Sequence, residues 1–329
     1  MLILNADEVR RALPMREAII AMKDAFASLS NGTTVVPLRT RVPIPSRNAL
    51  SLFMPAYMKS DSGEALAVKV VSLYPGNPAR GLAYIQAAVL VLESDTGRAI
   101  ALLEGSALTA IRTGAGSGAA IDMLARKASK VIAIFGAGVQ GRTQLEAACS
   151  VRNIETVFIF NSTPDKARKF AEEMAGLNSI PSDIRVAKTT REAVENADII
   201  CTATTSSKPV FDNIDIRPGT HISAIGAYTP EMQEVPIETV ARARVVVDSY
   251  VTVMEEAGDI IRAIQAGAIQ ESDIHAEIGE IILGSKTGRE SEDDITFFKS
   301  VGNAVQDAAA AQLALQNARQ MQLGKEVDF

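Results

Sequence analysis

The stretch "VIAIFGAGVQG", residues 131–141, decides how the rest of the chain is read. Val131, Ile132, Ala133, Ile134 and Phe135 form an unbroken apolar run, the pattern of a strand buried on both faces. Gly136, Gly138 and Gly141 follow in G-x-G-x-x-G spacing, and "VQGRTQLEAACSV" (139–151) continues with helical periodicity. The first glycine makes a tight turn, the second lets the backbone approach a pyrophosphate, and the third lets helix and strand pack closely. The N-terminus of the helix offers free N–H groups and partial positive charge to phosphates. A glycine motif alone is weak evidence, but here a second strand, "TVFIFN" (156–161), lies beyond the helix.

Working outward, "TPDKARKFAEEMAGL", "DIRVAK", "REAVENA", "DIICTATT", "THISAIG" and "RARVVVDS" continue the alternation of helix and strand. This predicts a parallel, doubly wound α/β sheet. The first third differs. "NADEVRRAL" starts with an Asn5 or Asp7 cap, and "MREAIIAMKDAFASLSNG" has helical spacing that ends at Gly32. Then come strand-like pieces, "LRTRVPIP", "NALSLFMPAYM", "ALAVKVVSLYP" and "YIQAAVLVLES", without a βαβ rhythm. A long Ala-rich helix near the end is expected to pack back on this first segment.

The chain of 329 residues, 47% apolar with a net charge of −6, is long enough for two cores. It has no dense basic stripe and no zinc spacing, so nucleic acid is not an expected partner. No apolar run approaches the roughly 20 residues that span a bilayer, and the start lacks a signal-peptide layout. Cys149 and Cys201 cannot build a disulfide framework, so a cytoplasmic home is expected.

Three places carry chemistry. In "LAVKVVSLYPGNP" (66–78) Lys69 interrupts a strand apolar on both faces; a desolvated ammonium there must be paired, lie at a mouth, or have work to do. In "TAIRTGAGSG" (109–118) Arg112 heads a small-residue helix and can grip a carboxylate or phosphate, or make a surface ion pair. Arg39 and Arg41 in "PLRTRVP" are a candidate second clamp. At the end of the second strand, Asn161 stands where NAD-binding chains carry an acid for the ribose. Ser162, Thr163 and Lys166 there can donate to a 2′-phosphate, which favours NADP(H) over NAD(H), although Asp165 is near and no Arg adjoins.

Five ordered blocks spread over the chain add to this: "KVVSLYPGNPARGL", "LLEGSALTAIRTGAGSGAA", "GAGVQG", "HISAIGAYTPEMQE" and "SVGNAVQDAAAA". In them the sequence resembles the ornithine cyclodeaminase/μ-crystallin family. The resemblance implies a homodimer with a Rossmann-type dinucleotide-binding domain, here 116–301. It also implies a second, α+β domain for substrate binding and dimerisation, here 1–115 and 302–329. It further implies a nicotinamide cofactor and a small imino- or amino-acid substrate. By position, Lys69 falls on the active-site lysine, and Arg112 on an arginine that contacts substrate carboxylate and cofactor, with Thr113 beside it. Arg39 best matches the second carboxylate-binding arginine, with Arg41 a competitor. Val139 and Gln140 fall on the phosphate loop, Asn161 on the ribose position, and Thr202 and Ile225 on cofactor contacts. Ser300 and Val301 match the loop near nicotinamide and substrate.

Two departures shape the expected activity. Where cyclodeaminases carry a catalytic Asp, "AIGAYTP" has Tyr228, and where they carry a Glu before "MP", "LSLFMPA" offers Leu52, Phe53 and Met54. Without these carboxylates the expected reaction is NAD(P)H-dependent reduction of a cyclic α-imino acid, Δ1-pyrroline-2-carboxylate or Δ1-piperideine-2-carboxylate, to the L-amino acid. The alternatives are an L-amino-acid dehydrogenase acting on alanine or a basic amino acid, ornithine cyclodeaminase itself, and a non-catalytic NADP-dependent binding protein. Lys69 is expected to steady the carboxylate or donate a proton, with Tyr228 a second candidate donor. His221 reads as structural, His275 as having only acidic neighbours, and Glu277 and Glu280 as surface carboxylates; no metal is expected. Asp307 reads as a partner for a helix or loop N–H.

Overall fold

The computed structural model describes residues 1–61 and 63–328. The chain divides into two compact units: Met1–Arg112 together with the chain from Asn303 onward, and Thr113–Gly302.

In the first unit, β1 (Leu2–Leu4) leads into α1 (Ala6–Ala12). Asn5 caps α1 by accepting the N–H groups of Asp7 and Glu8, while Glu8 accepts the N–H of Asn5. Helix α2 (Met15–Ser30) buries Ala18, Ile19, Met22, Ala25 and Phe26, one face of a helical repeat, and stops before Gly32 at φ 73°. Six strands follow: β2 (Thr34–Val35), β3 (Thr40–Ile44), β4 (Ala49–Ser60), β5 (Gly63–Leu73), β6 (Ile85–Leu92) and β7 (Ala99–Glu104). β4 to β7 form an antiparallel meander, and β3 pairs with β4. The division between the units falls inside α3 (Gly105–Leu124).

The register sets out the site. Met54, Lys69, Val89 and Leu103 form one cross-strand row, and Arg41, Leu52, Val71 and Ala87 the next row on the same face. Ala65, Ala67, Lys69 and Val71 of β5 are buried, whereas Leu66, Val68 and Val70 on the other face are only half-buried. The expectation of a strand covered on both faces is therefore met on one face within this chain.

The second unit begins with β8 (Val131–Phe135), α4 (Val139–Val151), β9 (Thr156–Phe160), α5 (Pro164–Met174), β10 (Ile184–Val186), α6 (Thr190–Val194) and β11 (Ile199–Thr202). It continues with β12 (His221–Ala224), α7 (Ile237–Arg242), β13 (Arg244–Val247), α8 (Tyr250–Glu256), α9 (Gly258–Gln265), β14 (Ile274–Glu277), α10 (Ile278–Ile282) and β15 (Thr296–Lys299). The strands pair in parallel in the order β10-β9-β8-β11-β12-β15-β13-β14. The chain winds one way from β8 to β10 and the other way from β11, so the topological switch point lies at the carboxyl ends of β8 and β11. β15 was not expected from the sequence: its four residues, "TFFK", end in a lysine and form too short an apolar run to stand out. It inserts between β12 and β13 and is buried throughout.

The chain then returns to the first unit as α11 (Ala304–Gln320), which packs on α2, β4 and β5, and β16 (Lys325–Glu326), which pairs with β1. This completes a sheet in the order β16-β1-β7-β6-β5-β4-β2. Among the described residues no helix is long and apolar enough to cross a membrane. Cys149 and Cys201 are free and buried.

Candidate active site

In the first unit, the odd lysine of β5 finds its partner on α11. Lys69 Nζ lies 2.7 Å from Asp307 Oδ2, and Arg112 Nε donates to Asp307 Oδ1 at 2.9 Å. Arg112 Nη1 also donates to Gln306 Oε1 at 3.2 Å. Gln306 is held in turn by the reciprocal cap of α11, where it accepts the N–H of Asn303. Lys69, Arg112 and Asp307 are 2%, 5% and 1% exposed, so this is a charge cluster away from bulk water. Of the two readings of Arg112, the surface ion pair is the one the structure sets aside, since the guanidinium is buried against a carboxylate. One expectation is corrected here. Asp307 serves two side-chain cations and not a backbone N–H.

Two cations face one carboxylate, away from bulk water. Burial lowers the pKa of Lys69 to about 7, helped by the charges of Arg112 and Arg39 and opposed by Asp307. Burial pushes Asp307 up, but Arg112 and Lys69 outweigh it and hold the carboxyl below its usual range. Arg39 is half-buried, and its charge reaches Lys69. Arg41 is exposed and pairs across the ladder with Leu52. Leu52 and Met54 lie on the lysine's face and are buried, while Phe53 points to the other face and is 39% exposed. The floor beside Lys69 is therefore apolar. Such a site suits a small anion with an apolar body.

In the second unit, the glycine turn has the geometry a pyrophosphate needs. Gly136 has φ 103°, and a Cβ on Gly141 would lie 2.0 Å from the Gly136 carbonyl oxygen. A Cβ on Gly138 would meet nothing within 4 Å, and Gly138 caps α4 without a side chain, so the first N–H groups of this 13-residue helix remain for a ligand. Val139 is 64% exposed, and Gln140 Oε1 is buried with no partner among the described residues. These features fit a dinucleotide. Asn161 braces the turn: its Oδ1 accepts from Ala137 N–H at 3.2 Å and its Nδ2 donates to Thr163 O at 3.1 Å. Ser162, Thr163 and Lys166 are exposed at the start of α5, and Asp165 is paired with Arg168. Gln144 Nε2 donates to Thr113 O at 3.4 Å, and Gly114 leaves no room for a Cβ against Thr143 of α4.

The loops after the strands carry the remaining candidates. Thr202 is fully buried at the end of β11 and spends its hydroxyl on Glu234, and Ile225 N–H donates to Thr202 O at 3.0 Å. Tyr228 is half-buried in the loop after β12. Ser300 Oγ donates to Asp248 Oδ2 at 2.6 Å, and the N–H groups of Val301 and Gly302 donate to the same oxygen. Sequence reasoning missed Glu234 and Asp248 as loop anchors, because a buried carboxylate that accepts backbone N–H groups reads like any acid in a loop.

The other readings resolve locally. His221 is buried between Thr296 and Ser223, as a structural histidine should be, and burial drives its pKa down to about 3. His275 is corrected: its ring lies against Arg244 and the carbonyl of Thr287. Glu277 and Glu280 form a reciprocal cap on α10, with Glu280 accepting the N–H of Glu277.

Residues 1–322 match the ornithine cyclodeaminase/mu-crystallin family along their whole length. The chain belongs to this family. It is 40% identical over 330 residues to a Delta(1)-pyrroline-2-carboxylate reductase of Bacillus cereus, with 100% of both chains covered. The structure of Thermococcus litoralis Delta(1)-pyrroline-2-carboxylate reductase, solved with NADH and L-proline, superposes with a TM-score of 0.94 at 46% identity, covering 99% of this chain and 100% of that one. An archaeal alanine dehydrogenase dimer with bound NAD superposes at 0.91 and 34% identity, covering 100% and 99%. In this family setting the second unit's parallel sheet is a Rossmann-type fold, and the chain is an oxidoreductase that uses a nicotinamide nucleotide.

Proposed function

We propose that this chain reduces Δ1-pyrroline-2-carboxylate, and by ring extension Δ1-piperideine-2-carboxylate, to the cyclic L-amino acid. The observation that carries the reading is the buried Lys69–Asp307–Arg112 cluster beside an apolar floor. The substrate carboxylate supplies the second negative charge that two cations and one acid lack, and Arg112 with Arg39 fixes its orientation. Leu52 and Met54 suit a hydrocarbon ring and offer no charge to a distal amine, which disfavours deamination of ornithine. A reduced nicotinamide nucleotide held along the 136–141 turn would supply the hydride that the imine carbon takes up. A proton must reach the imine nitrogen as the C=N bond becomes CH–NH. Lys69, with a pKa of about 7, holds a proton weakly enough to give it up. Arrival of an anion raises that pKa and loads the proton before transfer. Tyr228 is the second candidate donor, and Val301 a candidate substrate wall.

In this reading the units take the roles of a substrate-binding and dimerising domain and of a dinucleotide-binding domain. NADPH is favoured over NADH: no acid ends β9, Asp165 is neutralised by Arg168, and Ser162, Thr163 and Lys166 can donate to a 2′-phosphate. A homodimer is supported by the outer face of the meander, where Phe53 is exposed and Leu66, Val68 and Val70 are half-buried. A second copy would cover that face. Two free buried thiols are in keeping with a reducing cytoplasm.

The test is a substrate panel followed by nicotinamide absorbance. It sets NADH and NADPH against both cyclic imines and against pyruvate with ammonia, and NAD(P)+ against ornithine. Fast oxidation with the cyclic imines is expected. Preference for pyruvate with ammonia would move the reading to an amino-acid dehydrogenase, and dinucleotide binding without turnover would move it to a binding protein.

A further inference from the structure

Glu234, in the loop between β12 and α7, plays no part in the chemistry above, yet it is tied closely to the loops around it. It is 0% exposed and accepts four donors. Oε1 takes the Thr204 N–H at 2.6 Å, and Oε2 takes the Thr202 hydroxyl at 2.9 Å, the Gly226 N–H at 2.7 Å and the Ala227 N–H at 3.1 Å. Thr202 ends β11, and Gly226 and Ala227 follow β12. One side chain therefore ties together the carboxyl ends of two neighbouring strands, the side of the sheet on which the glycine turn opens.

Glu234 is itself held from behind. Its own N–H and that of Val235 donate to Asp259 Oδ1 at 2.7 and 3.0 Å, and Asp259 Oδ2 takes Lys299 Nζ at 2.9 Å. Asp259 and Lys299 are also 0% exposed. Burying three charges only to join loops is costly, and an apolar packing would serve stability as well or better. What the carboxylate offers beyond packing is fixed backbone direction. The contacts then run on to the glycine turn. A Cβ on Gly226 would lie 2.2 Å from the Thr204 carbonyl oxygen, and a Cβ on Gly136 would lie 2.5 Å from the Ala203 carbonyl oxygen. Segment 203–204 is thus sandwiched between Gly226 and Gly136, with no side chain between to absorb a displacement.

We propose that Glu234 is a positioning residue of the dinucleotide site, which sets cofactor affinity by holding the 202–204 and 226–227 loops against the turn at Gly136. This rests on the reading that the dinucleotide lies along the 136–141 turn. The donors to Glu234 are the Thr202 hydroxyl and three loop N–H groups, so its loss should weaken dinucleotide binding and leave the hydride step intact once the site is filled. An amide in its place can accept on one oxygen only and turns an N–H2 toward a backbone N–H donor.

The experiment measures dinucleotide Kd by titration of the intact enzyme, with kcat and both KM values, for wild type, Glu234→Gln and Glu234→Asp. Tenfold or greater weakening of dinucleotide binding is expected in Glu234→Gln. kcat at saturating dinucleotide and the KM of the imino acid should stay within about threefold. Glu234→Asp keeps the charge but not the reach, and should fall between. It also serves as the readable variant if the glutamine form does not fold. Wild-type affinity retained in whichever variant folds, or a fall in kcat at unchanged Kd, overturns the proposal. If wild type itself binds no dinucleotide, the reading beneath it fails instead.

Discussion

Asp307→Asn puts the most weight on the structure, because one carboxylate faces both cations of the candidate site. Charge centres about 4 Å apart interact by about 4 kcal/mol at an effective dielectric of 20, equivalent to about three pKa units. An asparagine keeps part of this as hydrogen bonds, so the pKa of Lys69 should fall by about one to two units from its present value near 7. If Lys69 must be protonated to act, kcat/KM falls as pH rises through its pKa. The alkaline limb of the variant's pH profile should therefore move to lower pH by the same amount. The assay is reduction of the cyclic imine at limiting substrate across pH, with circular dichroism to confirm folding. Removing the carboxylate also costs stability, about 3–5 kcal/mol, because Arg112 stays buried without its counter-charge and Lys69 sheds its proton. Asp307 has a lowered pKa, so its stabilisation is present above the usual carboxylate range and is lost as pH falls through the lowered value. The variant should lose less stability than wild type on acidification. An alkaline limb that does not move would refute the coupling of Asp307 to Lys69.

Other perturbations separate the parts. Lys69→Met should lower kcat by about 10²–10³-fold, the scale of a positioned acid, with dinucleotide Kd unchanged by titration. Gly141→Ala should abolish measurable dinucleotide binding, since its Cβ would lie 2.0 Å from a backbone oxygen; binding within threefold of wild type would count against the turn as the phosphate site. Lys166→Glu should raise the KM for NADPH about tenfold and that for NADH little, because an exposed charge acts mainly on a nearby phosphate. Binding of an unreactive cyclic carboxylate should take up protons near pH 8, since an anion raises the Lys69 pKa; calorimetry in buffers of different ionisation enthalpy reads this directly.

Gly136, Gly138 and Gly141 were legible because their constraint is local: strand, turn and helix are contiguous in the chain. Lys69 was legible as a misfit for the same reason, a charge within an apolar run. Its partner was not, since Asp307 comes from α11, 195 positions from Arg112, and only the packing of α11 on β5 brings them together. The alternation of β5 suggested cover on both faces, but one chain covers only one. β15 was missed because four residues carry too little periodicity, and the buried Lys299 disguised it as a strand end in solvent. Glu234 and Asp248 escaped because their work is on backbone N–H groups, which leave no trace in residue type.

Hydride transfer to the imine carbon is read from the product that the wild-type enzyme forms from Δ1-pyrroline-2-carboxylate and reduced dinucleotide carrying deuterium in the transferred position at C4. L-proline with deuterium at Cα is expected, formed mole for mole with oxidised dinucleotide. No labelled proline from the imine, with ornithine instead converted to proline and ammonia, would contradict it.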